Sequence, residues 1–71
     1  IDVNSLDKYE RTPLDLSCRK GHLEIVKLLL KDRRVEVNKV NNEGASPFSV
    51  ACQKGQIQVV KLMMEDNRID V

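Results

Sequence analysis

His22 is the single histidine in the 71 residues, and it follows Gly21 directly. A lone imidazole has no second proton-transfer partner of its own kind, and none of the serines has a base partner at a usable spacing. Ser17 and Ser49 fall inside short helical patterns, as small packing or surface residues. Asp15 is better placed as a charge at a helix N-terminus than as an acid catalyst. Gly21 and Gly55 are isolated, so they do not form a phosphate-cradling loop. Cys18 and Cys52 have no second Cys or His at metal-ligand spacing, and the carboxylates are scattered. The reading is therefore no catalytic residue, no cofactor, no metal and no enzyme. His22 is expected to hydrogen-bond backbone or a neighbouring loop.

The elements that carry these residues occur twice. Shifting the chain by 34 positions superposes Val3 on Val37, Asn4 on Asn38, Pro13 on Pro47, Cys18 on Cys52 and Gly21 on Gly55. Lys20, Val26, Lys27, Leu28, Asp32 and Arg34 find their own types as well, which makes 11 identities in 34. Units of residues 1–34 and 35–68 follow, and Ile69-Asp70-Val71 begins a third. A period of this size is the mark of a stacked repeat.

Within each unit Thr12 or Ser46 is an N-cap, and Pro13 or Pro47 occupies the first helical position, where its missing N–H costs nothing. The helix runs about eight residues, until Gly21 or Gly55 ends it in a left-handed cap. A second helix is predicted over residues 22–31 and 56–65. Its apolar positions, Leu23, Ile25, Val26, Leu28, Leu29 and Leu30 in the first copy, form a stripe too wide for one neighbour. Val35-Glu36-Val37-Asn38 alternates as an extended segment does, and Asn41-Asn42-Glu43-Gly44 has turn chemistry. A β-turn or short hairpin is predicted near residues 41–45, with Asp7-Lys8-Tyr9-Glu10 as the matching tip. The fold class is an all-α repeat solenoid of helix–turn–helix units joined by such loops.

Helices this short are marginal alone in water, so each unit must bury its apolar faces against the next. Two units give one interface and two uncovered ends. Neither unit reads as a polar cap, so the expectation is a piece of a longer array, or self-association through the uncapped ends. Aromatics are only Tyr9 and Phe48, which leaves the core to Leu, Val, Ile and Met. Twelve basic and eleven acidic residues leave +1, with no clustered sign to attract nucleic acid or an anionic membrane. No apolar run approaches a membrane span and no leader pattern opens the chain. Cys18 and Cys52 occupy equivalent layers roughly 8–10 Å apart, beyond disulfide reach. Both are read as small buried residues in a reducing, intracellular setting, cytoplasmic or nuclear.

The units resemble the ankyrin repeat. The first shows Thr12, Pro13, Leu14, Gly21, His22, Ile25, Val26, Leu28, Leu29, Val37 and Asn38. The second shows Gly44, Ser46, Pro47, Phe48, Ala51, Cys52, Gly55, Val59, Val60, Leu62 and Met63. The tetratricopeptide repeat shares the 34-residue period, but it lacks the turn and carries a Trp-Leu-Gly-Tyr pattern absent here. The chain departs from the ankyrin pattern in its period of 34 rather than 33, with the extra residue expected in Asp32-Arg33-Arg34 and Asp66-Asn67-Arg68. It departs again at Asp15 and Ser49, which stand where the family has a turn-tying His, and at Gln56, which replaces the second-copy histidine. Glu10 replaces the turn glycine, so it must accept strain or a different turn.

The resemblance implies a protein-interaction module whose turn tips and first helices line a concave face. Lys8, Tyr9, Glu10, Arg11, Asp15 and Arg19 would project there from the first unit, and Asn42, Glu43, Ala45, Ser49 and Gln53 from the second. Tyr9 is singled out because an aromatic at a turn tip has no core to fill, and Tyr and Arg dominate interface energetics. The alternatives are a spacer that only sets distance and a regulatory segment attached to an enzyme elsewhere.

Overall fold

A computed structural model describes residues 4–69. The expected pairings of residues 1 and 3 with 35 and 37, and the third-unit start at residues 70 and 71, lie outside the described residues.

Four helices follow one another: α1 (Pro13–Lys20), α2 (Leu23–Lys31), α3 (Pro47–Gln53) and α4 (Ile57–Met64). Their starts are set by the caps. The Thr12 hydroxyl oxygen accepts from the Asp15 N–H at 3.1 Å, and the Ser46 hydroxyl oxygen accepts from the Ser49 N–H at 3.2 Å. Each cap satisfies one of the donors that a helix start leaves without an intrahelical partner. Both first helices end in the same device. Gly21 and Gly55 have φ +73° and +68°, and the N–H groups of His22 and Gln56 reach back to Ser17 and Ala51. Helix α3 stops one residue earlier than α1, with Lys54 as its C-cap.

Helix α1 packs on α3 and α2 on α4, so the two hairpins lie layered side by side. Leu14, Cys18 and Val26 of the first hairpin meet Ala51, Val59 and Met63 of the second in one buried cluster, joined by Val35, Val37 and Ile69. No strand is assigned among the described residues. The alternation at 35–38 does place Val35 and Val37 inward. The backbone there closes two turns instead of extending, with the Val35 N–H on Asp32 and the Lys39 N–H on Glu36. The turn beginning at Asp32 is held by its own side chains. The Asp32 carboxylate accepts from the Arg34 N–H at 2.9 Å and from the guanidinium at 3.0 and 2.7 Å, and Asp66 and Arg68 repeat the clamp. These guanidinium contacts bring Asp32 down to about 2 and hold Asp66 below its ordinary value. The loop expected to hold the thirty-fourth residue is thus a compact, charge-locked turn. Arg68 also donates to the Leu30 carbonyl, across the seam between the units.

Gln56 reports how closely the units approach. Its amide donates to the Arg19 carbonyl at 3.2 Å and lies over Gly21, where an added Cβ would come within 2.8 Å of its Cδ. The equivalent position above Gly55 is open. Both glycines are left-handed, so alanine at either costs about 1 kcal/mol of backbone strain. Gly21→Ala must also displace Gln56 and break its hydrogen bond, a further ~1 kcal/mol. Urea midpoints of the two variants are expected to differ by that second amount, with Gly21→Ala the weaker. Equal midpoints would show that the Gln56 contact adds nothing.

Candidate protein-interaction surface

The turn tips owe their shape to one side chain each. The Asp7 Oδ1 accepts from the N–H groups of Tyr9 and Arg11, both at 2.9 Å, and Asn41 Oδ1 accepts from Glu43 at 2.8 Å and Ala45 at 3.2 Å. Asx side chains shape turns in this way because they mimic a backbone acceptor two residues on. The Arg11 and Tyr9 N–H groups hold the Asp7 carboxyl below its ordinary range. The two tips are also joined directly, the Asn42 N–H donating to the Tyr9 carbonyl at 3.1 Å. Gly44 is left-handed at φ +79°, and Glu10 takes the same conformation at φ +60°. Of the two outcomes open to Glu10, the chain adopts the strained one, because the hydrogen bonds to Asp7 dictate the turn.

The tip of the first unit presents Tyr9, 41% exposed, between two cations. Lys8 Nζ lies 5.1 Å from the ring centroid and Arg11 Cζ lies 4.5 Å from it. The Arg11 Nε is buried with no hydrogen-bond partner. Stacking on the tyrosine is what compensates that group, since a guanidinium is attracted to an aromatic face. Lys8 and Glu10 are exposed beside it, as are Asn42, Glu43, Ser49 and Gln53 in the second unit, while Arg19 and Ala45 are half-buried.

Asp15 departs from its expected place. Its side chain is 0% exposed, so it does not project from this face. Its Oδ1 holds Arg19 at 3.2 Å, and its Oδ2 accepts from Asn41 Nδ2 at 3.1 Å. The neighbouring unit covers the helix start and supplies the partner that makes a buried carboxylate tolerable. Asn41 is the residue that sequence reasoning passed over. The only signal was its alignment with Asp7, which shows the shared turn role but not the reach back to Asp15.

Two other expectations change. Cys18 is buried, with its thiol donating to Met63 Sδ at 3.5 Å, but Cys52 is exposed. The layer that covers Cys18 has no counterpart over Cys52. Burial, with the Asp15 charge, pushes the Cys18 thiol up to about 12, so it is unreactive. His22 is exposed and its imidazole makes no capping hydrogen bond; its backbone groups do the joining instead, to Ser17 and Val26. No group of three His, Cys, Asp or Glu residues arranged to hold a metal ion occurs among the described residues. No helix there is long and apolar enough to cross a membrane.

Paired short helices, glycine-ended and layered in register with turn tips joined edge to edge, match the family model for ankyrin repeats, described as three copies, over residues 1–71. The chain belongs to the ankyrin repeat family. Comparison with curated proteins gave no match. Ankyrin repeats generally act as protein–protein interaction modules and are typically not enzymes. In this ankyrin pair, Asp15 and Asn41 tie the units together, at the turn-and-first-helix level where the family uses a histidine.

Proposed function

We propose that the chain is a non-catalytic protein-interaction module that engages another protein through its turn tips and first helices. The face consists of Lys8, Tyr9, Glu10, Arg11 and Arg19 from the first unit, with Asn42, Glu43, Ala45, Ser49 and Gln53 from the second. An intracellular setting, cytoplasmic or nuclear, belongs to the same reading, and two unpaired thiols support it. The observation that carries it is the Tyr9 cluster. A half-exposed aromatic is held rigid at a tip whose backbone is hydrogen-bonded into its neighbour, and it is flanked by two cations that need not move to receive a partner. Tyrosine and arginine anchored in this way are the residue types that dominate binding energy.

The test has two parts. A photo-crosslinking residue at position 42, beside Tyr9, identifies the partner in cells. Binding of that partner is then measured for the wild type and for Tyr9→Ala. A loss of at least about 2 kcal/mol in binding, roughly thirtyfold in Kd, is expected for a residue at the centre of such an interface. The thermal midpoint should fall by only a few degrees, since an exposed cation–π contact is worth about 0.5–1 kcal/mol. An unchanged Kd, or no crosslinked protein, would leave the chain as a spacer or a regulatory segment.

A further inference from the structure

An open groove of about 720 Å³ lies across the internal seam, between the last turns of α2 and α4 and the loops that follow them. Its volume is in the range of ligand-binding clefts. One wall comes from each unit, and no residue of the turn-tip face takes part. The floor is apolar and tied down. Leu30 and Leu62 are half-buried there. Arg68 donates to the Leu30 carbonyl across the seam and holds Asp66 with its Nε and one terminal nitrogen. That ion pair leaves little net charge at the floor.

The wall from the first unit carries Lys27, Lys31 and Arg33, all exposed. The Lys31 and Arg33 side chains make no hydrogen bond or ion pair among the described residues, and Arg33 acts on Asp66 only through space. Lys27 meets Glu24 at 3.5 Å, but both groups stand in water and such a pair contributes little. The fold does not ask for Lys31 and Arg33. In the second unit Glu65 and Asn67 stand in their places, yet the backbone closes in the same way. The Asp66 N–H bonds Met63 as the Asp32 N–H bonds Leu29, and the Ile69 N–H bonds Asp66 as the Val35 N–H bonds Asp32. Along the sequence these cations are diluted by acids; packing α2 on α4 gathers them beside Arg68. With Asp66 engaged by Arg68, Glu65 is the one carboxylate among the lining residues left to oppose them.

We propose that this groove binds an acidic peptide segment of another protein. An apolar side chain of the peptide sits over Leu30 and Leu62, and the carboxylates flanking it lie against Lys31 and Arg33. The apolar floor favours a peptide over a bare polyanion, which would leave Leu30 and Leu62 in water. Asn67, exposed on the opposite wall, offers a donor and an acceptor to the peptide backbone. The cations stand in solvent, so the interaction is modest in strength and sensitive to salt.

Fluorescence anisotropy of a labelled Glu-Glu-Leu-Glu-Glu peptide, titrated with the 71-residue chain, tests the proposal. Saturable binding is expected, and it should weaken in about 1 M salt, where screening acts over roughly 3 Å. Lys31→Glu combined with Arg33→Glu, both at exposed positions, should weaken it roughly tenfold and leave the thermal midpoint near that of the wild type. Peptides with Gln for each Glu, or with Ser for the Leu, should bind more weakly than the parent. Tyr9→Ala should bind as the wild type does, because the tip is no part of the groove. Absence of saturable binding overturns the proposal, as does binding that survives the double substitution or the loss of the leucine. A loss in Tyr9→Ala would move the site to the tip and overturn it as well. Inositol hexakisphosphate or anionic vesicles bound as tightly as the peptide would show a patch for bare anions, with the same consequence.

Discussion

Met63→Ala is expected to cost about 3 kcal/mol, a large-to-small change in a fully buried site. Stability of roughly 0.05–0.15 kcal/mol per residue leaves a chain of this length only about 4–10 kcal/mol in total. That single truncation therefore removes a large share, and it lowers the thermal midpoint by on the order of 15 °C. Met63 matters because it fills the space above Cys18, with the thioether 3.5 Å from the thiol, and belongs to the one cluster that both hairpins share. Leu29 is its counterpart in the first copy, on the same face of the equivalent helix, but only half-covered. Leu29→Ala should cost about 1 kcal/mol, since the surface it withdraws from water is smaller. The contrast, read from urea unfolding of both variants, measures how much of the fold resides in the seam between units. Equal losses would mean that each hairpin holds itself up, contrary to the marginal stability of helices of seven to nine residues.

The second large effect belongs to Asn41. Asn41→Asp keeps the turn, as Asp7 demonstrates in the first copy with the same two backbone bonds. What changes is the atom facing Asp15, where an N–H donor at 3.1 Å becomes a carboxylate oxygen. A buried carboxylate then loses a donor and gains a like charge, and about 2–3 kcal/mol of stability should be lost at pH 7. Two close carboxylates raise the affinity of the pair for one proton above its unfolded value. The variant's deficit is therefore full at neutral pH and shrinks as pH falls toward the carboxylate range. Asn41→Ala loses the turn acceptor and the donor together, by a similar amount, but gains no charge and so recovers less on acidification than Asn41→Asp. Unfolding curves at pH 7 and pH 4.5 separate the two. A deficit in Asn41→Asp that ignores pH would show that Asp15 and residue 41 do not meet.

The glycine-ended helices and the Thr12 and Ser46 caps were legible, because each depends on neighbours within about four residues. The tip turns were legible for the same reason, whereas the sequence left Glu10 a choice between strain and a different turn, which the structure decided. Asp15 was misplaced because its local role, a carboxylate in a first turn, is the same whether or not another unit covers it. Its partner is 26 residues away, and nothing in the residue types announces the pairing. The expectation for Cys52 failed through the same gap. It occupies the same repeat position as Cys18, but burial belongs to the layer above a residue, and only the first copy has one.

The sequence by itself determined the repeat, its helices, their ends and the tip turns, since these are written in capping, φ preference and apolar spacing over a few residues. The tertiary structure alone decided which of two equivalent side chains is covered and which carboxylate is buried. Those outcomes come from contacts between units, where identical residues meet different surroundings.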